Sequence, residues 1–255
     1  MINKELQKRI LSSIILIPLA FYFIIHGSYM LMFFTLICFL VACYEWHKMT
    51  KRKTFKIYGF PFLFFSFYTF YELSLEFTLV FFVILICIAT DIGGYIFGKM
   101  FKGPKLTKIS PNKTYAGMIG GYFLSLICLA IITNYIDYPN IPFEFFILTL
   151  VISTISQIGD IIISYFKRLS KIKDTGKIIP GHGGLLDRID GMIFTFPVVY
   201  IINFTEYLNV WKKKIAILGS TGSIGVNTLN ILKRDKKSFE VNLLTTNKNI
   251  NKILK

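Results

Sequence analysis

Residues 77–97, FTLVFFVILICIATDIGGYIF, form an apolar run in which the only charged residue is Asp91. An α-helix needs roughly 20 apolar residues to cross the hydrocarbon core of a bilayer, so this stretch predicts a transmembrane helix. Working outward, further apolar runs occupy residues 10–25, 29–44, 57–71, 115–136, 143–166 and 189–204. We therefore predict an all-α polytopic membrane protein with about seven transmembrane helices.

Composition and charge support this class. The chain is 54% hydrophobic with 26 Phe, and its mean hydropathy is +0.58. The net charge of +15 comes from basic residues concentrated after the second, fourth and sixth runs and at the C-terminal end. This alternation is typical of cytoplasmic loops, so we place the N-terminus and these three loops in the cytoplasm and expect no nucleic-acid partner.

Three carboxylates lie where a bilayer disfavours charge. Asp91 is late in the fourth run, Asp160 is within the sixth, and Asp190 opens the seventh, each near a basic loop. A single such Asp is about as consistent with a hydrogen bond between helices as with chemistry. Three at the same predicted membrane face favour one shared polar site.

The loop after the sixth run is dense in polar groups and glycine. Pro180, Gly181, Gly183 and Gly184 predict a constrained loop whose N–H groups can face an anion. Asp187 and Asp190, three residues apart, share one face if the chain from Leu185 is helical. Carboxylates of this kind can hold a divalent cation, and the basic residues around them suit phosphate: Lys167, Arg168, Lys173 and Arg188.

Two further features are open to two interpretations. His182 could be a zinc ligand, but no second histidine lies nearby, so a hydrogen bond to phosphate or to the loop backbone is favoured. In KISPNKT, residues 108–114, Ser110, Lys113 and Thr114 could bind phosphate. The alternative is a helix start marked by Pro111, followed by a solvated lysine.

Residues 164–190, SYFKRLSKIKDTGKIIPGHGGLLDRID, resemble the signature of the phosphatidate cytidylyltransferase (CDP-diacylglycerol synthase) family without departure. Residues 89–121, ATDIGGYIFGKMFKGPKLTKISPNKTYAGMIGG, are similar to the block that precedes the signature in that family. The resemblance covers about residues 89–204. The part before it is similar only in being a set of hydrophobic helices, and it looks shorter by at least one helix.

The resemblance implies that CTP and phosphatidate give CDP-diacylglycerol and pyrophosphate at the cytoplasmic (inner) membrane, in a multi-pass protein that depends on Mg²⁺ and could use a second metal ion. A homodimer is left open. By this resemblance and the carboxylate pattern, Asp160 and Asp187 are the expected metal ligands. The expected catalytic residues are Lys173, Asp174, His182, Arg188 and Asp190. Substrate would be bound by Ser110, Lys113, Thr114, Lys167, Arg168, Gly183 and Gly184, with Asp91 as a further candidate.

The C-terminal stretch KKKIAILGSTGSIGVNTLNILK, residues 212–233, has a different character. A strand followed by Gly219, Gly222 and Gly225 at a helix start predicts the opening of a Rossmann-like dinucleotide-binding unit. It resembles the beginning of 1-deoxy-D-xylulose 5-phosphate reductoisomerase, an NADPH enzyme. We expect a truncated or read-through piece, because some 44 residues are too few for an independent core. NADPH would be a cofactor only if this tail functioned, which we do not expect.

The predicted organisation is therefore residues 1–88 as N-terminal transmembrane helices, residues 89–208 as a catalytic transmembrane domain, and residues 209–255 as an incomplete NADPH-binding-like βα fragment. Two other functions stay open. One is a reductoisomerase fragment or a bifunctional fusion, which predicts NADPH binding. The other is a membrane transporter without enzymatic activity, which predicts no turnover of CTP.

Overall fold

The computed structural model describes residues 14, 18–50, 53–107, 110, 113–135, 143–181, 183–204, 213–234 and 239–245. The chain divides into two compact units, Met1–Phe204 and Thr205–Lys255. The first unit is helical in its described part, and the second contains two strands and a helix.

The helices of the first unit follow one another with short connections. The first, α1, covers residues 18–26. The others are α2 (Ser28–Met49), α3 (Lys53–Ser74), α4 (Phe77–Phe101), α5 (Tyr115–Tyr135), α6 (Phe143–Leu169), α7 (Leu186–Ile189) and α8 (Met192–Phe204).

Four helices in the described part of this unit are long and apolar enough to cross a membrane: Tyr29–Met49, Phe77–Phe101, Tyr115–Asn134 and Phe143–Leu169. The predicted run 57–71 forms most of α3, which contains Pro61 and is not one of the four. The run 189–204 is interrupted after α7, and its apolar part is the 13-residue α8. The run 10–25 lies largely outside the described residues. In the part of the chain that the structure describes, the protein is thus mostly helical with four such helices, and the prediction of seven is not confirmed.

Glycines allow α4 and α5 to pack closely. A Cβ atom on Gly93 would collide with the carbonyl oxygen of Gly120, and one on Gly98 would lie 3.5 Å from the Cα atom of Gly117. The small residues at the start of α5, Gly117, Gly120 and Gly121, predict close packing between helices, and the structure confirms this prediction. This close contact limits the positions that the segment between α4 and α5 can take.

A buried apolar cluster connects α2 and α3 with the elements around the glycine-rich loop. It contains Ala42, Trp46, Met49, Leu63, Phe67, Ile163, Leu186 and Ile193, all at most 9% exposed. Leu186 is the first residue of α7 and is fully buried. The N-terminal helices therefore anchor the loop through packing as well as through the polar contacts described below.

The second unit is a parallel βαβ arrangement in its described part. Strand β1 (Lys213–Ile217) pairs with β2 (Phe239–Leu244), and helix α9 (Ser223–Arg234) connects them. The pairing joins Lys213 to Phe239 and Ile217 to Leu244, with an irregularity after Ile215. Gly219 has φ of 71°, a conformation that favours glycine in the turn before α9.

Candidate functional site

The segment between α4 and α5 brings Lys113 to the sixth helix. The backbone N–H of Leu106 donates to the carbonyl of Lys113 at 2.8 Å, and that of Tyr115 donates to the carbonyl of Pro104 at 3.2 Å. The folded-back segment places the Lys113 ammonium in an ion pair with Asp160 on α6. Ser164, one turn later, donates to the other oxygen of Asp160 at 3.4 Å. Lys113 is therefore paired in this structure rather than solvated.

Ser110 and Thr114, the two hydroxyl residues of this segment that are predicted to bind phosphate, have local partners. Thr114 Oγ1 accepts a hydrogen bond of 3.1 Å from the backbone N–H of Gly117 and so caps the start of α5. The backbone carbonyl of Ser110 accepts from the N–H of Lys113 at 3.0 Å. Both contacts stabilise the turn that presents Lys113, and Pro111 lies outside the described residues.

Three carboxylates from different parts of the chain interact with one another: Asp91 on α4, Asp160 on α6, and Asp190 between α7 and α8. The charges of Asp160 and Asp91 act on Asp190, and the Lys167 ammonium acts on it in the opposite direction. Like charges brought together in this way favour an added positive charge.

The site fits a magnesium ion of the kind that bridges protein and phosphate. Within the described ranges, no three side chains of His, Cys, Asp or Glu form a ready-made metal cage. Mg²⁺, however, is usually held by one or two carboxylates together with waters and substrate phosphates. The Asp160–Asp190 pair supplies oxygen ligands of this type, and its mutual repulsion would be relieved by the cation.

Asp187 belongs to a separate hydrogen-bond network. Its Oδ1 accepts from Lys167 Nζ at 2.8 Å, and its Oδ2 accepts from the N–H of Thr175 at 2.8 Å and of Gly184 at 3.1 Å. Burial raises the pKa of Asp187, but the hydrogen bonds from Lys167, Gly184 and Thr175 outweigh it and leave the pKa below its ordinary 3.8. The two carboxylates that the sequence pattern assigns to the metal, Asp160 and Asp187, thus lie in different networks. Lys167 pairs with Asp187, and its charge also acts on Asp190.

The glycine-rich loop closes on itself around Asp187. The N–H of Ile179 donates to the carbonyl of Gly183 at 3.0 Å, and Gly181 and Gly183 have φ of 78° and 86°. A Cβ atom on Gly183 would lie 2.9 Å from Asp187 Oδ2. In this structure, the N–H of Gly184 therefore faces a carboxylate of the chain itself, where the sequence predicts an anion.

Glu45, near the C-terminal end of α2, is a site residue that the sequence analysis does not identify. Its side chain is fully buried and accepts hydrogen bonds from Thr175 Oγ1 at 3.0 Å, from the N–H of Leu185 at 2.9 Å and from the N–H of Leu186 at 2.9 Å. The sequence does contain a signal for Glu45, because this acidic residue directly follows the apolar run 29–44. Asp91, similarly, is an acidic residue inside an apolar run.

The remaining predicted residues lie at the exposed rim. Arg168, Lys173, Asp174 and Arg188 are exposed, and Arg188 interacts electrostatically with Asp91. A Cβ atom on Gly183 would lie 3.3 Å from the Cβ atom of Asp174. His182 lies outside the described residues.

Comparison with known proteins places most of the chain in one group. The profile of the cytidylyltransferase family matches residues 7–78 and 54–205. A phosphatidate cytidylyltransferase of Rickettsia felis is 37% identical over 226 residues, which cover 79% of this chain and 93% of that protein.

Two staphylococcal relatives match a shorter part. Phosphatidate cytidylyltransferases of Staphylococcus saprophyticus and Staphylococcus aureus (strain COL) are 40% and 43% identical over 124 residues. The matched part spans about half the length of these relatives, 48% of each. A second profile, 1-deoxy-D-xylulose 5-phosphate reductoisomerase, matches residues 215–255.

Proposed function

The chain belongs to the cytidylyltransferase family, and we propose that it converts CTP and phosphatidate to CDP-diacylglycerol and pyrophosphate. A phosphate oxygen of phosphatidate forms a bond to the α-phosphorus of CTP. The bond from that phosphorus to the bridging oxygen of the β-phosphate breaks, and its electron pair leaves with pyrophosphate. Phosphatidate brings its own nucleophile, since the second pKa of a phosphomonoester is about 6. The protein therefore has to align two polyanions and needs no strong base.

The observation that carries this proposal is the meeting of Asp91, Asp160 and Asp190 with Lys113 and Lys167. A metal-dependent reaction between two phosphate groups requires carboxylates that hold the metal and ammonium groups that neutralise phosphate oxygens. Both kinds of group lie together here. In the proposed mechanism, Lys113 moves from Asp160 to a phosphate oxygen when substrate binds. Asp160 is thereby released to act as a metal ligand.

Asp160 and Asp190 would hold Mg²⁺ by the fit described above. When bound, Mg²⁺ supplies positive charge that neutralises the phosphate oxygens and the leaving pyrophosphate. Asp187 stays a predicted ligand. Its oxygens accept three hydrogen bonds, from Lys167 and from the N–H groups of Thr175 and Gly184, and the Thr175 hydroxyl is placed to donate a fourth, so Asp187 would first have to release some of these.

The exposed cations complete the proposed substrate site. Arg168, Lys173 and Arg188 lie at the rim and suit the triphosphate of CTP, which arrives from water. Lys167 is 14% exposed and lies deeper, and we assign it to the phosphate at the reacting centre. His182, Ser110 and Thr114 remain predicted contacts of phosphate.

A lipid substrate is supported by an apolar cavity of about 180 Å³ that is lined by residues of α2, α3, α6 and α8. Its lining includes Trp46 next to Glu45, Phe166 next to Lys167, and Phe194 close after Asp190. This arrangement suits a substrate whose phosphate reacts at a polar site while its acyl chains stay in an apolar environment.

The membrane topology extends the four observed candidate helices. We propose seven transmembrane helices in the inner membrane, with the loops that carry Lys113 and Asp187 on the cytoplasmic side. The positive-inside distribution supports this orientation. The contact between Lys113 and Asp160 supports a common side for the two loops, since it joins the segment before α5 to the C-terminal half of α6. A homodimer stays a prediction that the mass of the purified protein would test.

For the tail, we propose a Rossmann-type opening without an NADPH function of its own. The parallel βαβ unit, the turn at Gly219 and the reductoisomerase profile support the first part. The second part stays the expectation drawn from the sequence. Titration of the full chain with NADPH should give no change in nucleotide fluorescence, and a saturable change would favour a bifunctional protein.

The reaction is tested with CTP labelled at either end of its triphosphate. Membranes that contain the full chain, with phosphatidate and Mg²⁺, should transfer label from [α-³²P]CTP to lipid and release label from [γ-³²P]CTP as pyrophosphate. Membranes with Asp160→Asn at equal protein level serve as the control for host activity. No labelled lipid above that control would refute the proposal and would favour the transporter alternative.

A further inference from the structure

Glu45 connects the N-terminal helices to the loop that organises the site. Its carboxylate receives three hydrogen bonds, and all three donors belong to the segment 175–186. Burial of a charged carboxylate is costly unless donors replace water around it. Because these donors come from one segment, Glu45 helps to fix its position relative to α2, together with the apolar packing of Leu186.

Thr175 extends this contact to Asp187. Its hydroxyl oxygen is 3.0 Å from Glu45 Oε2 and 3.0 Å from Asp187 Oδ2, and its single proton can serve one of them at a time. The N–H of Thr175 holds Asp187 independently, and Asp187 holds Lys167. A continuous path of hydrogen bonds thus runs from α2 through the loop to Lys167 on α6.

The glycines of the loop leave room for Glu45. A Cβ atom on Gly184 would lie 2.5 Å from Glu45 Oε2, and one on Gly176 would collide with Glu45 Oε1. Neither glycine has a positive φ, so close approach of the carboxylate explains them better than turn geometry. The loop is therefore shaped around a side chain from a distant part of the chain.

We propose that Glu45 is a positioning residue of the reaction. Through Thr175 and Asp187 it holds Lys167 in the orientation that a substrate phosphate requires, without touching substrate itself. The activity part of this inference rests on the proposed function, whereas its structural part does not.

The test uses Glu45→Gln in the purified full chain in lipid nanodiscs, with Glu76→Gln as a matched control at an exposed glutamate. The glutamine keeps the shape but turns one acceptor into a donor, so at least one loop donor loses its partner. We expect kcat/KM for CTP to fall about 10- to 100-fold. Hydrogen exchange in the peptide that contains Leu185 and Leu186 should become about 10-fold faster or more.

A second pair of variants separates positioning from general stability. Thr175→Val removes the hydroxyl but keeps the backbone N–H, and we expect the same two effects to a smaller extent. Thr175→Ser keeps the hydroxyl and should restore kcat/KM to within about 3-fold of the wild type. A residue with only a structural role would change the amount of folded protein but not kcat/KM per folded molecule.

Each outcome bears on the inference. Wild-type exchange and turnover in Glu45→Gln would overturn it, as would a loss of turnover with unchanged exchange. If Glu45→Gln does not fold, wild-type exchange or turnover in Thr175→Val would overturn it. If the wild type makes no CDP-diacylglycerol, the proposed function fails, and the exchange experiment still decides whether Glu45 holds the loop.

Discussion

Asp187→Asn removes the charge at the centre of the loop network. In the wild type, one oxygen of Asp187 accepts from Lys167, and the other accepts from Thr175 and Gly184. An asparagine can satisfy only one side: its NH₂ group faces either the lysine or the two backbone donors. A lost hydrogen bond to a charged group costs about 1.5–3 kcal/mol, and a buried donor without a partner costs about 1–3 kcal/mol. The local cost is thus about 3 kcal/mol. If all of it falls on the transition state, the rate drops about 100-fold.

The assay measures CDP-diacylglycerol formation from labelled CTP in membranes with equal amounts of folded protein. We expect the activity of Asp187→Asn to fall to the background of the host. Glu144→Gln, at an exposed acid in the first turn of the same α6 that carries Lys167, should keep wild-type activity. Wild-type activity in Asp187→Asn would refute the reasoning, because the network would then be unnecessary for the reaction.

The same variant has a defined pH dependence. The pKa of Asp187 is below 3.8 in the folded protein, so the charged carboxylate stabilises the fold fully above about pH 3.8 and loses this effect as the pH falls through the lower folded pKa. The difference in thermal midpoint between wild type and Asp187→Asn should therefore be constant near neutral pH and shrink in acid. A difference that grows in acid would contradict the assigned hydrogen bonds.

Three further predictions concern neighbouring residues. Asp190→Asn should abolish turnover in the labelled-CTP assay, because the pair with Asp160 that would hold Mg²⁺ loses one carboxylate, and wild-type turnover would remove Asp190 from the site. Lys113→Met should lower kcat/KM about 10-fold or more in the labelled-CTP assay, since both the pairing of Lys113 with Asp160 and its proposed phosphate contact are lost. Unchanged kinetics would remove Lys113 from the site. Gly184→Ala should lower both stability and activity, because the new methyl group collides with the side chains of Thr175 and Glu45. Gly94→Ala is the control and should be tolerated in both measurements, since its Cβ atom would be 3.7 Å from its nearest neighbour.

Much of the site could be predicted, because acidic residues inside apolar runs mark places where a polar partner is needed. Asp91, Asp160 and Asp190 are far apart in sequence, but each is unfavourable in lipid unless it has a partner, and the structure shows that they interact. The glycines of α5 likewise predict close packing, because small residues are what helix contacts in lipid require.

Other contacts could not be predicted, because they depend on tertiary structure. Glu45 and Leu186 are 141 residues apart, and no local pattern connects them. The spacing of Asp187 and Asp190 predicts one shared face, but α7 ends at Ile189, and the two side chains enter different networks. For Lys113, the sequence leaves a solvated side chain as an alternative, and only the fold brings it to Asp160.

The dependence of product formation on magnesium tests the central claim most directly. Purified full chain in lipid nanodiscs should form CDP-diacylglycerol from CTP and phosphatidate with Mg²⁺, stop when EDTA is added, and recover when Mg²⁺ is restored. Asp160→Asn, with intact hydrogen exchange in the loop, should stay inactive at every Mg²⁺ concentration. Turnover in EDTA, or wild-type turnover by Asp160→Asn, would contradict the assignment of the reaction to this carboxylate group.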